Sequence, residues 1–99
     1  MKEPLLSDEA KADLAGIWVD IAEARDERTA DRMNAKILSS CRSKAQFPDT
    51  GKARDEILAG LRSFPVRPYV VFFRRHADTI LVLRILHGRR DVEQIMGRS

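Results

Sequence analysis

This chain of 99 residues has one cysteine, six aromatic side chains and no long apolar run. A single cysteine, Cys41, excludes an intrachain disulfide. It fits a reducing, cytoplasmic compartment, where a lone free thiol in a helix behaves as a small hydrophobe. No stretch approaches the ~20 apolar residues that a membrane-spanning helix needs. The opening residues MKEPLLSDEA hold no apolar segment of signal-peptide length. His76 and His87 stand at opposite ends of one expected strand with no Cys or carboxylate cluster beside them, so neither a metal site nor a cofactor is expected. Repeats, linkers and low-complexity segments are absent. The length allows one domain, 1–99, and 43% apolar residues supply one core.

Charge is unevenly placed. Residues 1–31 carry nine acids and four bases, a net −5, whereas residues 60–91 carry seven arginines and two aspartates, a net +5. A general nucleic-acid binder is usually basic more broadly, and no sequence-specific DNA binding is expected. Two readings stay open: a dipolar protein with solvated faces, and a cationic binding face on a sheet.

Ser7 has the chemistry of an N-cap, with Asp8 and Glu9 in the first turn. Ala10, Leu14, Ile17, Trp18, Ile21 and Ala22 then recur at helical spacing, which predicts a helix over 8–25. A second helix starts near Asp26 or Glu27, carries Ala30, Met33, Ile37, Leu38, Cys41 and Ala45 on one stripe, and ends at Phe47-Pro48. The short link makes the pair an antiparallel hairpin, with Trp18 as an anchor. Residues 48–54 are expected as a loop and 55–60 as a helical turn. Strands follow at about 61–66, 69–75 and 79–87, with a tight turn at His76-Ala77-Asp78. Alternation along the last strand places Leu81, Leu83 and Ile85 on the face toward the helices, and Ile80, Val82, Arg84 and Leu86 on the other. Arg62, Phe64 and Val66 join that second surface. An arginine among aliphatics is either salt-bridged within the fold or marks a groove that a partner covers.

The run LRSFPVRPYVVFFRRHADTILVLRILHGRRD, residues 61–91, resembles the ParE branch of the RelE/ParE toxin superfamily. The matching pieces are Gly60-Leu61-Arg62-Ser63-Phe64-Pro65, Tyr69 with the alternation after it, and Leu83-Arg84-Ile85-Leu86-His87-Gly88 leading to Arg90-Asp91. The helices match more weakly. The resemblance implies an α+β fold: an N-terminal helix hairpin packed on an antiparallel sheet of three to four strands, with a short C-terminal helix or tail. The family usually opens with a strand, for which only residues 2–6 remain here, and Pro4 keeps it short.

The same resemblance implies a bacterial toxin of a type II toxin–antitoxin pair, held inactive by a ParD-like antitoxin in a hetero-oligomer. On it rest Trp18, Arg62, Phe64, Tyr69, Val82, Arg84 and Leu86 as candidate antitoxin contacts. ParE-type toxins poison DNA gyrase, whereas the RelE branch cuts messenger RNA in the ribosome. A third possibility is a non-toxic module that only binds antitoxin. Cleavage through a 2′-hydroxyl needs a base, an acid and cations for the developing charge. Arg62, Arg84, His87 and Arg90 are the candidates, with Glu56 as an alternative base. The C-terminal DVEQIMGRS lacks the tyrosine or second histidine that RNA-cleaving relatives place there, so gyrase inhibition is favoured over endoribonuclease activity.

Overall fold

The computed structural model describes residues 2–88. The sequence expectations for Arg90, Asp91 and a C-terminal helix or tail therefore lie outside the described residues. Among the described residues the chain forms β1 (Leu5–Leu6), α1 (Asp8–Ala24), α2 (Glu27–Ala45), β2 (Lys52–Ala53), β3 (Arg62–Val66), β4 (Tyr69–His76) and β5 (Thr79–His87).

Both helices start where the sequence provides a cap. The Ser7 hydroxyl accepts from Ala10 N at 3.0 Å, and the Asp26 carboxylate accepts from Thr29 N at 2.7 Å. These bonds satisfy backbone donors that have no partner inside the helix. The Thr29 N–H also holds the Asp26 carboxyl below the usual carboxylate range. Ser7 does a second job. Its N–H donates to Val82 O at 2.9 Å and its hydroxyl donates to Leu83 O at 2.8 Å. One residue thus starts α1 and fastens it to β5. The hairpin is closed by Trp18, whose indole Nε1 donates to the Asp31 carboxylate at 2.8 Å.

The five strands lie in the order β1-β5-β4-β3-β2. β3, β4 and β5 form an antiparallel meander, as expected, with a two-residue turn at Ala77-Asp78. Ala77 takes the left-handed backbone (φ 54) that such a turn requires. Two corrections concern the edges. β1 pairs in parallel with β5, Leu5 opposite Leu81 and Leu6 opposite Val82, so the sheet is mixed rather than antiparallel. The loop expected over 48–54 contains β2, which pairs with Arg62 and Ser63 of β3.

A third correction concerns the faces of β5. Phe72 pairs with Arg84 but Phe73 pairs with Val82, so Leu83 is an extra residue in the ladder. A bulge of this kind flips the alternation. Ile80 and Val82 before it, and Ile85 after it, all point into the core beneath the helices. That core joins Leu14 and Ile17 of α1 and Ile37 and Cys41 of α2 to Phe64, Val71 and Phe73 of the sheet. Leu83 belongs to a smaller cluster on the far face, with Leu61, Phe72, Leu86, Ile57 and Val70. Segment 54–61, a set of turns, covers part of that face.

Cys41 is fully buried on α2, and burial pushes its thiol up to about 11. The folded state therefore prefers the neutral thiol. Its contribution to stability is present below the ordinary thiol range near 8.5 and is lost as pH rises from there towards 11. Cys41 should react with a disulfide reagent such as Ellman's at pH 8 at least about 100-fold more slowly in the native protein than in urea, because thiolate and access are both scarce. Equal rates in the two states would contradict this placement.

Candidate functional site

The sequence-predicted polar residues occupy different ends of the sheet. Arg62 sits at the start of β3, opposite Phe73. Its Nη1 donates to Gly51 O at 3.1 Å, which holds the loop before β2. His87 sits at the end of β5, opposite Tyr69. Their rings meet edge to face, with centroids 6.0 Å apart. Their partners on β4 are four positions apart, about 13 Å along the strand.

Arg84 lies between them, and its partner is inside the fold. Its Nε and Nη2 donate to the two carboxylate oxygens of Asp13, at 2.8 and 2.9 Å. Ile85 N also donates to Asp13, at 2.8 Å. Asp13 thus clamps α1 to the edge of β5 just past the reach of β1. Of the two readings of Arg84 offered by the sequence, the fold realises the salt bridge. The Asp13 side chain is 13% exposed and that of Arg84 24%. A pair so placed is screened less than a surface pair, and the two-pronged geometry is the strong form.

Asp13 was missed in the sequence, yet a signal was there. Ala10, Leu14 and Ile17 share the buried side of α1, and position 13 lies against that side at helical spacing. An acid there calls for a partner.

Cavities ring the Tyr69–His87 pair. One of about 240 Å³ lies between α1 and the β5 edge, lined among others by Asp13, Gly16, Asp20, Arg84 and His87. A second, of about 360 Å³, opens between the β3–β4 turn and Gly88. Of the seven expected antitoxin contacts, Phe64, Val82 and Leu86 are buried in the two apolar clusters, which corrects their expected place on an open face. Tyr69 is buried apart from a small exposed margin beside these cavities. Trp18, Arg62 and Arg84 keep partial exposure. Glu56, the alternative base, is exposed and lies 3.8 Å from Arg54.

Residues 5–92 match the sequence profile of the family described as ParE toxin of type II toxin-antitoxin system, parDE. The chain belongs to the ParE toxin family. It is similar to toxin ParE3 of Caulobacter vibrioides, 30% identical over 87 residues, which is 88% of this chain and 87% of the relative. It is also similar to toxin ParE1 of Mycobacterium tuberculosis, 32% identical over 91 residues, covering 91% and 93% of the two chains. Among solved structures, one of a chromosomal ParDE toxin–antitoxin system from P. aeruginosa superposes with a TM-score of 0.75 at 24% identity, over 88% of this chain and 96% of that one. That likeness carries the fold: two helices on one face of a five-stranded mixed sheet.

Proposed function

We propose that this ParE-family toxin is neutralised by a ParD-like antitoxin and, once released, inhibits DNA gyrase without nuclease chemistry of its own. The observation that carries the second part is the scatter of the candidate catalytic groups. A phosphoryl transition state needs its acid, base and cations within about 3 Å of the reacting atoms. Arg62 is engaged with Gly51 O at one end of the sheet, Arg84 with Asp13, and His87 faces Tyr69 at the other end. Arg84 and His87 line one cavity, but Arg84 is held by Asp13 and Arg62 lies about 13 Å away along the strands, so the three do not converge on one scissile phosphate. The family's description as the toxin of a parDE type II toxin–antitoxin system supports the first part. Trp18, Arg62 and the exposed margin that Arg84 keeps beside its bridge to Asp13 are the expected contacts that an incoming chain reaches without unpacking the core, and we assign antitoxin contact to these three.

A toxicity assay tests the chemistry. His87→Gln keeps size and hydrogen-bonding capacity but cannot serve as a proton carrier near pH 7. Induced in cells, this variant should arrest growth as the parent does. An endoribonuclease that used His87 as acid or base would lose about 10²–10⁴-fold in rate. Loss of arrest with unchanged folding and antitoxin binding would favour the ribonuclease reading.

A further inference from the structure

The end of the molecule away from His87 carries a concentration of cations that neither the antitoxin nor the gyrase reading uses. From Arg32 to Pro48 the sequence has no acid and four bases, Arg32, Lys36, Arg42 and Lys44. Lys36 and Lys44 lie two turns apart on α2, roughly 12 Å along its axis. Beyond the helix, short bonds fold the loop back. Phe47 N donates to Lys44 O at 2.9 Å, Thr50 N to Phe47 O at 3.1 Å, and Lys44 Nζ to Thr50 Oγ1 at 3.1 Å. Exposed Lys36 stands in the same i, i+4 row as Lys44, through Ser40. The one carboxylate of the loop, Asp49, is already paired with Arg75. In the midst of these charges Phe47 leaves 66% of its surface to solvent. Beside it is a cavity of about 320 Å³ lined by Ser39, Ser40, Ser43, Lys44 and Phe47. Its polar side chains are three hydroxyls and an ammonium, with no carboxylate among them.

We propose that this face binds the phosphate backbone of single-stranded nucleic acid, with Phe47 as a platform on which a base stacks. Cations in a row provide the sequence-independent attraction. Hydroxyls and an ammonium suit phosphate oxygens, which accept but do not donate. A lone exposed ring beside them is the stacking element that single-strand binders add to a charged groove. An acidic protein segment fits less well, because protein partners draw most of their affinity from apolar anchors seated in pockets, and this cavity is lined by hydroxyls. The inference goes beyond the gyrase reading and does not depend on it.

The test is fluorescence anisotropy of a labelled 20-nucleotide oligo(dT) titrated with the full chain at 50 and 200 mM KCl. The parent should bind, and bind more weakly at the higher salt. The double variant Lys36→Gln, Lys44→Gln should lose about fivefold or more at 50 mM, with the salt slope flattened by about 1.4, at ~0.7 per phosphate contact. Phe47→Ala should weaken binding about five- to a hundredfold and leave the slope alone. Lys36→Gln alone, on an exposed side chain, should show part of the double's loss, so that a folding defect at Lys44 cannot imitate the result. A charge-matched control, Arg28→Gln, Arg67→Gln, should lose less than about twofold. Equal losses in the two doubles would overturn the proposal, since net charge alone would then explain binding. So would polyglutamate displacing the oligonucleotide at equal charge while Phe47→Ala has no effect, which would point to an acidic polypeptide instead.

Discussion

Asp13→Ala should lower the unfolding free energy by about 2–3 kcal/mol, a large effect for one polar side chain. Asp13 accepts three hydrogen bonds, two from Arg84 and one from Ile85 N. Its removal leaves a guanidinium that is 24% exposed, and a strand N–H past the end of β1, without the acceptor they now share. The figure is held below that for a fully buried pair because both side chains keep some water. Arg84→Ala should cost less, since Asp13 still accepts from Ile85 N. Asp13→Asn should fall between, because the amide oxygen can keep one of the three bonds. In a domain of this size the Asp13→Ala loss corresponds to a fall in Tm of roughly 10–25 °C. Chemical denaturation of the three variants checks both the size and the order. A loss under about 0.5 kcal/mol for Asp13→Ala would mean that the clamp contributes nothing net.

The second large effect is expected in the core. Phe73→Ala should cost about 3–5 kcal/mol, the range for deleting a buried ring. Phe73 is fully buried, and its ring lies 5.7 Å from that of Phe64. It also backs the loop ahead of β2. A Cβ placed on Gly51 would come within 3.1 Å of the Phe73 ring and of Ser63 O, and Gly51 has φ +105. The chain passes this close to the ring because glycine stands there. Phe73→Ala should therefore loosen the 48–53 segment as well as the core. Hydrogen exchange at Lys52 and Ser63 should rise by more than the global loss of stability predicts. Exchange that tracks global stability alone would show that the loop does not lean on this ring.

Much of the fold is legible in the sequence because its signals are local. Ser7 and Asp26 are short acceptors ahead of apolar spacing, and both cap helices. Thr79–His87 is bounded by turn residues and a glycine, and the strand has those limits. What was not legible depends on distant partners or on uniformity. β1 and β2 have two residues each, too few to show a period. The bulge at Leu83 is silent because Ile80 to Leu83 are all aliphatic, so one inserted residue changes the faces without changing the pattern. That insertion is why Val82, expected outward, is buried under the helices. The Asp13–Arg84 clamp joins residues 71 apart in the chain. The sequence showed that Arg84 needed a partner, and only the fold shows that the partner is its own. Tyr69 and His87 face each other for a similar reason, since register across the β4–β5 hairpin sets their meeting.

The reading of this toxin as a gyrase inhibitor is tested most directly by the purified chain in two assays run side by side. One follows supercoiling of relaxed plasmid by gyrase with ATP, and the other follows cleavage of messenger RNA on translating ribosomes. Inhibited supercoiling that an added ParD-like antitoxin relieves, with intact messenger RNA, is the result expected. Messenger RNA cut on the ribosome while gyrase works undisturbed would contradict it.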